Sequence, residues 1–167
     1  KNLPEIVNAM KSYGVDVAMA SNGVLLTKEI VQECMRAFTW IRFSVASMEE
    51  SSYTKIHRGR KGDLARLQKN LAYAVEYKKK NRLSTTLGVQ CLLIQDNLSQ
   101  VIEQAKQLRN IGVDYFTIKP YSQHLHSINH MAVDYNHLLE LEKEIKQYET
   151  DSFKIYYRAH AMKKIHH

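Results

Sequence analysis

Two cysteines in 167 residues, Cys34 and Cys91, cannot make a disulfide framework and are not spaced as a metal-ligand set. Their scarcity agrees with a reducing compartment and puts both in the core. No apolar run approaches the ~20 residues of a membrane span, and the polar start at Lys1-Asn2, followed by Pro4, is not a signal peptide. A soluble, cytoplasmic protein is expected. There is no glycine-rich phosphate loop, because Gly59 and Gly62 stand in a basic loop without a strand before it, and there is no nucleophile elbow. The basic runs His57-Arg58-Gly59-Arg60-Lys61 and Lys78-Lys79-Lys80-Asn81-Arg82 account for much of the net charge of +7, but neither is interleaved with aromatics. They read as solvated faces before they read as a nucleic-acid surface, and anionic small molecules stay open as ligands.

What is present is a chain of one-domain length, 1–167, with an ordinary 44% hydrophobic content. Along Trp40-Ile41-Arg42-Phe43-Ser44-Val45-Ala46-Ser47 the apolar residues alternate with Arg42, Ser44 and Ala46, the pattern of a strand with one polar face. Further strands are expected at Val15 to Ala20, Thr85 to Ile94, Val113 to Lys119 and Phe153 to Tyr157. Helical spacing separates them. Leu3, Ile6, Val7 and Met10 follow an Asn2 cap and end at Gly14; Leu26 and Val31 can staple a helix capped by Thr27 that runs to about Ala37. Leu64, Leu67, Leu71, Ala74 and Val75 form a stripe behind an Asp63 cap. Val101, Ile102, Ala105 and Leu108 follow an Asn97 cap and stop at Gly112. Asp134 opens a last helix with Leu138, Leu141, Ile145 and Tyr148 on one face, and Met48 to Gly62 reads as a long polar loop. Strict alternation of strand and helix predicts an α/β fold with a parallel sheet and right-handed crossovers. A crossover helix needs a strand on each side, so the opening helix is expected to follow a strand upstream.

Chemistry in such sheets gathers at the carboxyl ends of the strands. The polar candidates there are Ser21, Asn22, Arg42, Ser44, Gln90, Thr117 and Lys119, each of which could also satisfy its neighbours inside a barrel layer. His124, His126 and His130 crowd one loop, but with no supporting carboxylate nearby they read as substrate-facing or surface residues, and no metal ligand is assigned.

Taken in order, Ser21-Asn22-Gly23, Ile41-Arg42-Phe43-Ser44-Val45, Tyr53 to Ile56 with Arg58-Gly59, Asn70-Leu71, Gly88-Val89-Gln90, Asn97, and Ile111 through Tyr121 resemble the later part of a radical S-adenosylmethionine (SAM) enzyme barrel. The resemblance covers roughly Leu3 to Tyr121. It implies a partial (β/α) TIM-type barrel in which a [4Fe-4S] cluster, held by a CxxxCxxC loop, reduces SAM to a 5′-deoxyadenosyl radical that takes hydrogen from a small-molecule or peptide substrate. It also implies an electron donor such as a flavodoxin or ferredoxin. The cysteine loop is absent from this chain, and so is the glycine and glutamate motif of the second strand. By resemblance the chain runs from the second helix through the sixth strand and helix, with a C-terminal extension, and by itself would be inactive.

Carried over by position, the Ser21-Asn22 turn would line the SAM pocket and Ser44 would contact SAM through its hydroxyl. Arg42 would pair with the methionine carboxylate or brace the interior. Gln90 would point inward, Thr117 and Lys119 would approach adenine and substrate, and Tyr121, His124 and His126 would border the substrate mouth. Ala46 stands where the family often has Asp. Two other readings compete: a complete small α/β domain binding a phosphorylated ligand through Arg42, Lys119 and the Arg58 to Lys61 loop, and a basic nucleic-acid-binding module.

Overall fold

The computed structural model describes residues 3–121, 126 and 138–163. Apolar alternation along five segments makes five strands: β1 (Val17–Ser21), β2 (Phe38–Ser44), β3 (Thr86–Leu93), β4 (Tyr115–Pro120) and β5 (Lys154–Tyr157). They form one sheet in the order β1-β2-β3-β4-β5, every neighbouring pair parallel. Parallel neighbours need long crossovers, and the described helices supply them. These are α1 (Leu3–Ser12), α2 (Lys28–Cys34), α3 (Glu50–His57), α4 (Asp63–Lys80), α5 (Val101–Ile111), α6 (Leu139–Lys146) and α7 (Ala159–Lys163). The α/β class is thus as expected, and an all-parallel, sequentially ordered sheet of this kind is consistent with part of a TIM-type barrel.

Burial separates the two faces of the sheet. Ile41, Phe43, Leu87, Val89, Cys91, Phe116, Ile118 and Ile155 are sealed in one core with Leu64, Leu67, Leu71, Ala74 and Val75 of α4 and Val101, Ala105 and Leu108 of α5. The other face carries Trp40, Arg42, Ser44, Gln90, Thr117 and Lys119, all half-buried, and Leu92 and Tyr156, which are 40% and 53% exposed. At the amino ends of the strands Asp114 ties several elements together. Its carboxylate takes Lys78 Nζ of α4 and, at 2.6 Å, Leu87 N–H of β3, while its own N–H and carbonyl pair with Leu87 O and Lys154 N.

Several sequence expectations are corrected here. Met48 to Gly62 is not a loop throughout, because Glu49 caps α3 by accepting Ser51 N–H at 3.2 Å, and Tyr53 anchors that helix in the core. Asp63 does not occupy the cap position of α4. Gly62 does, at φ +87°, and the Asp63 carboxylate accepts Arg60 N–H at 2.9 Å. Asn97 lies inside a 3-10 turn, Gln95–Gln100, rather than at a helix start. The helix expected to reach about Ala37 does so, as α-helix to Cys34 and then as a 3-10 turn, Met35–Ala37. The α1 stripe forms as expected and ends at Gly14, but only Val7 is buried on it, and Ile6 is 56% exposed. Asn2, Asp134, His124 and His130 lie outside the described residues. No helix among the described residues is long and apolar enough to cross a membrane.

Candidate functional site

Strand register stacks the polar face into layers. Ala20, Arg42, Gly88 and Tyr115 stand side by side, then Ser44, Gln90 and Thr117, then Leu92 and Lys119 nearer the carboxyl ends. In the lowest of these, the Arg42 guanidinium lies over the Trp40 ring, 5.2 Å from its centre, and the Tyr115 ring crosses Gly88 so closely that a Cβ there would sit 2.0 Å from Tyr115 Cζ. A glycine is required at that position for the ring to lie flat on the strand. Tyr115 also meets Tyr156 edge to face at 5.9 Å, and burial pushes its hydroxyl pKa up. Arg42 Nε is buried without a hydrogen-bond partner among the described residues, and so is Gln90 Oε1 one layer up.

Above them a cavity of about 270 Å³ opens at the carboxyl rim of β2 and β3, lined by Ser44, Val45, Ala46, Ile56, His57, Gln90, Leu92, Ile94 and Tyr121. Ser44, Gln90 and Tyr121 of the expected set therefore share one wall. Thr117 is in register with Gln90 and Lys119 with Leu92, beside the cavity but not part of its lining. Ser21 pairs in register with Phe43 and Asn22 follows it, and both hold the turn after β1. Ser21 Oγ accepts Gly23 N–H at 3.1 Å and Asn22 Oδ1 accepts Val24 N–H at 3.2 Å. Asn70 of α4 clamps the same turn by donating to the Gly23 and Val24 carbonyls at 2.9 and 3.0 Å. A side chain at Gly23, where φ is +76°, would run into Phe43 and Leu67. His126 is exposed and is not among the lining residues.

Two residues that sequence reasoning placed elsewhere build this rim. His57, read as one member of a basic run, is the last residue of α3 and stacks on Tyr53 at 4.5 Å; its Nε2 accepts Ala46 N–H at 2.9 Å. Tyr53, Ile56 and His57 follow helical spacing, the one signal that could have turned this histidine inward. Asn97 is fully buried and acts as a bolt: Nδ2 donates to Ala46 O and Leu92 O at 2.7 and 2.9 Å, and Oδ1 accepts Ile94 N–H at 2.9 Å. Farther out, Ser47 Oγ meets Gln100 Oε1 at 2.7 Å, and Gln100 Nε2 reaches Glu49 Oε2 at 3.0 Å.

A cavity with a hydroxyl, an amide and an imidazole set among aliphatic walls suits an organic ligand with a polar, hydrogen-bonding part and an apolar one. It does not suit an iron-sulfur cluster. Cys34 and Cys91 are both buried, and burial pushes their thiols up to about 11 and about 12, away from the thiolate a cluster needs. Among the described residues no three His, Cys, Asp or Glu side chains converge on a metal-sized site.

No family model matches the chain, and no curated protein matches it. Solved structures do. Streptococcus suis SuiB, alone and bound to S-adenosylmethionine, superposes with a TM-score of 0.71 at 15% identity, over 93% of this chain and 35% and 36% of SuiB. SuiB bound to precursor peptide SuiA gives 0.68 at 15% identity, over 92% of this chain and 34% of that one. A domain of pyruvate-formate lyase-activating enzyme from Bacteroides vulgatus ATCC 8482 gives 0.64 at 17% identity, over 93% of this chain and 88% of that domain. At such identities the likeness is one of fold, and the chain spans about a third of the length of SuiB.

Proposed function

We propose that this chain is part of the barrel wall of a radical SAM enzyme and supplies one side of its SAM and substrate pocket. The observation that carries the reading is the cavity at the ends of β2 and β3, walled by Ser44 and Gln90, on a fold shared with a protein crystallised with S-adenosylmethionine. Ser44 Oγ, with no partner among the described residues, would bond the ribose or the methionine carboxylate. Gln90 Oε1, buried and unpaired, would accept from a ligand donor. The aliphatic groups of Val45, Ile56, Leu92 and Ile94 would exclude water from the apolar part of the ligand. Arg42 and Lys119 set a positive field on the same face, which favours an anionic end such as a carboxylate.

In this reading the [4Fe-4S] ligands belong to the parent enzyme, since neither thiol here can serve. SAM bound beside a reduced cluster supplies hydrogen-abstraction chemistry; this chain's residues hold and orient it and keep water out. The substrate is a small molecule or a peptide, the latter supported by the peptide-bound neighbour. An external one-electron donor serves the parent.

The test is binding of S-adenosylhomocysteine to the 167-residue chain by calorimetry. Saturable binding, weakened about tenfold by Ser44→Ala, is expected for a lost hydroxyl contact in a part-formed pocket. A chain that binds inorganic phosphate or oligonucleotide but not the adenosyl compound overturns the reading. Anaerobic reconstitution with iron and sulfide should give no visible cluster absorbance, and a stable four-iron cluster would contradict the assignment of its ligands elsewhere.

A further inference from the structure

Four separate elements hold the two residues that follow β2. Val45 N–H donates to Gln90 O of β3 at 2.9 Å, and Val45 O accepts Gln104 Nε2 of α5 at 2.9 Å. Ala46 O accepts Asn97 Nδ2 at 2.7 Å, and Ala46 N–H donates to His57 Nε2 of α3 at 2.9 Å. Three of these partners are amides or carbonyls with no charge to change near neutral pH. The fourth is an imidazole, and it lines the same cavity as Ser44 and Gln90. To accept at Nε2 the ring must be neutral with its proton on Nδ1.

We propose that His57 is the positioning residue of the cavity and makes ligand binding there depend on pH. Neutral, it seats the Val45–Ala46 backbone beside Ser44; protonated, its Nε2 becomes a donor facing the donor N–H of Ala46, and the wall loses that anchor. This rests on the reading of the cavity as an adenosyl site.

The surroundings support the neutral state. Within α3, Tyr53 stacks on the ring. Asp63 of α4 turns to Arg60 N–H and Arg66, Glu50 takes Gly62 N–H, and Lys55 pairs with Asp96 of the 3-10 turn. Cys91 of β3 contacts Ala46 O with a thiol pushed up to about 12, and Tyr121 closes the cavity after β4. Among the described residues no carboxylate reaches the imidazole to hold a proton on it, and burial pushes its pKa below the usual histidine value. The sign follows: the anchor is complete above the ordinary histidine pKa of ~6.5 and is lost as pH falls through the lowered value.

Two measurements test this. Affinity for S-adenosylhomocysteine, whose carboxylate and ammonium keep their charges between about pH 5 and pH 7.5, should weaken as pH is lowered from about 7.5 towards 5 in the wild-type chain, by up to about tenfold once the ring is protonated. His57→Gln, whose Oε1 still accepts Ala46 N–H, should bind with little pH dependence. His57→Phe, which keeps the stack on Tyr53 but accepts nothing, should bind about tenfold more weakly at every pH. A wild type and a His57→Phe variant that bind equally well at all pH values overturn the proposal while leaving the adenosyl reading intact; no binding by any form overturns the adenosyl reading itself. Independently of any ligand, nuclear magnetic resonance of the wild type should show the Nδ1–H form of His57 and an Ala46 amide whose exchange protection falls with the titration of that ring. A ring protonated at Nε2 near neutral pH, or an Ala46 amide indifferent to it, rejects the positioning role whatever binds.

Discussion

On the helix-covered face of the sheet, Phe43, Val89, Phe116 and Ile118 are closed to solvent within the apolar core. On the other face of the same strands, Arg42, Ser44, Gln90, Thr117 and Lys119 remain half-exposed, and two of their polar atoms are buried with nothing to bond. Parallel sheets are ordinarily covered on both sides, so the contrast is physical information. One face is built to lower the free energy of the fold; the other gives some of that stability up to keep polar groups available. The sharpest way to break the comparison is to cut one apolar residue from each side. Phe116→Ala should cost about 4 kcal/mol in denaturant unfolding, because a sealed ring leaves a cavity. Leu92→Ala, on the open face and 40% exposed, should cost about 1 kcal/mol or less. Equal losses would mean that the open face is covered in solution.

Asn97 tests whether the rim belongs to the stable side or the functional one. Its amide serves Ala46 O, Leu92 O and Ile94 N–H, and no water can replace it without entering a fully buried position. Asn97→Ala should therefore cost about 3 kcal/mol, measured by urea midpoint with an unchanged slope. A loss below about 1 kcal/mol would place the rim with the tolerant surface.

Gln90 sharpens the contrast in the opposite direction. Its Oε1 is buried and unpaired, so Gln90→Leu removes an unmet polar group and should raise stability by up to about 1 kcal/mol. The same change should weaken adenosyl binding about tenfold, because the ligand loses its acceptor. Stability and binding moving together would deny that this face gives up one for the other.

The two faces were unequally legible. Strict alternation along β2, the apolar run of β3 and the stripe of α4 follow directly from residue spacing, because burial against helices repeats every two or every three to four residues. Ser44 and Gln90 stood out for the same reason, as polar breaks in that rhythm. The rim did not. Ser51, Ser52 and Thr54 are poor helix formers, and Tyr53 is the one fully buried anchor of α3, so the segment lacked a stripe to announce itself. His57 reads as the first member of a run of cations that begins where the helix ends and continues to Lys61. Asn97 reads as a cap three residues before Gln100, and its bond to Ile94 N–H is local, but its amide also reaches Leu92 O of β3 and Ala46 O, contacts that sequence spacing does not encode.

The smallest expected effect lies on the rim, where the two faces meet. Glu49 is exposed, and the hydroxyls of Ser51 and Ser52, with their backbone N–H groups, hold its carboxyl down at about 2. A carboxyl depressed in the folded state contributes its full stabilisation above its unfolded value of ~4.5 and loses it as pH falls through the folded one. The loss should fall between those two values and should be felt first at the start of α3, where the carboxylate caps Ser51 N–H and takes Gln100 Nε2. Because the group is exposed, solvent screening keeps the effect modest, and added salt should shrink it further. Comparing the melting temperature of the wild type with Glu49→Gln on acidification isolates it, since the variant cannot titrate there. The wild type should fall more steeply than the variant, and the amides of α3 should lose exchange protection before those of β3. Parallel acid profiles for the two proteins would show that the serine hydroxyls hold Glu49 no better than water does, and α3 would then depend for its place on Tyr53 and on the His57 contact with the strand end.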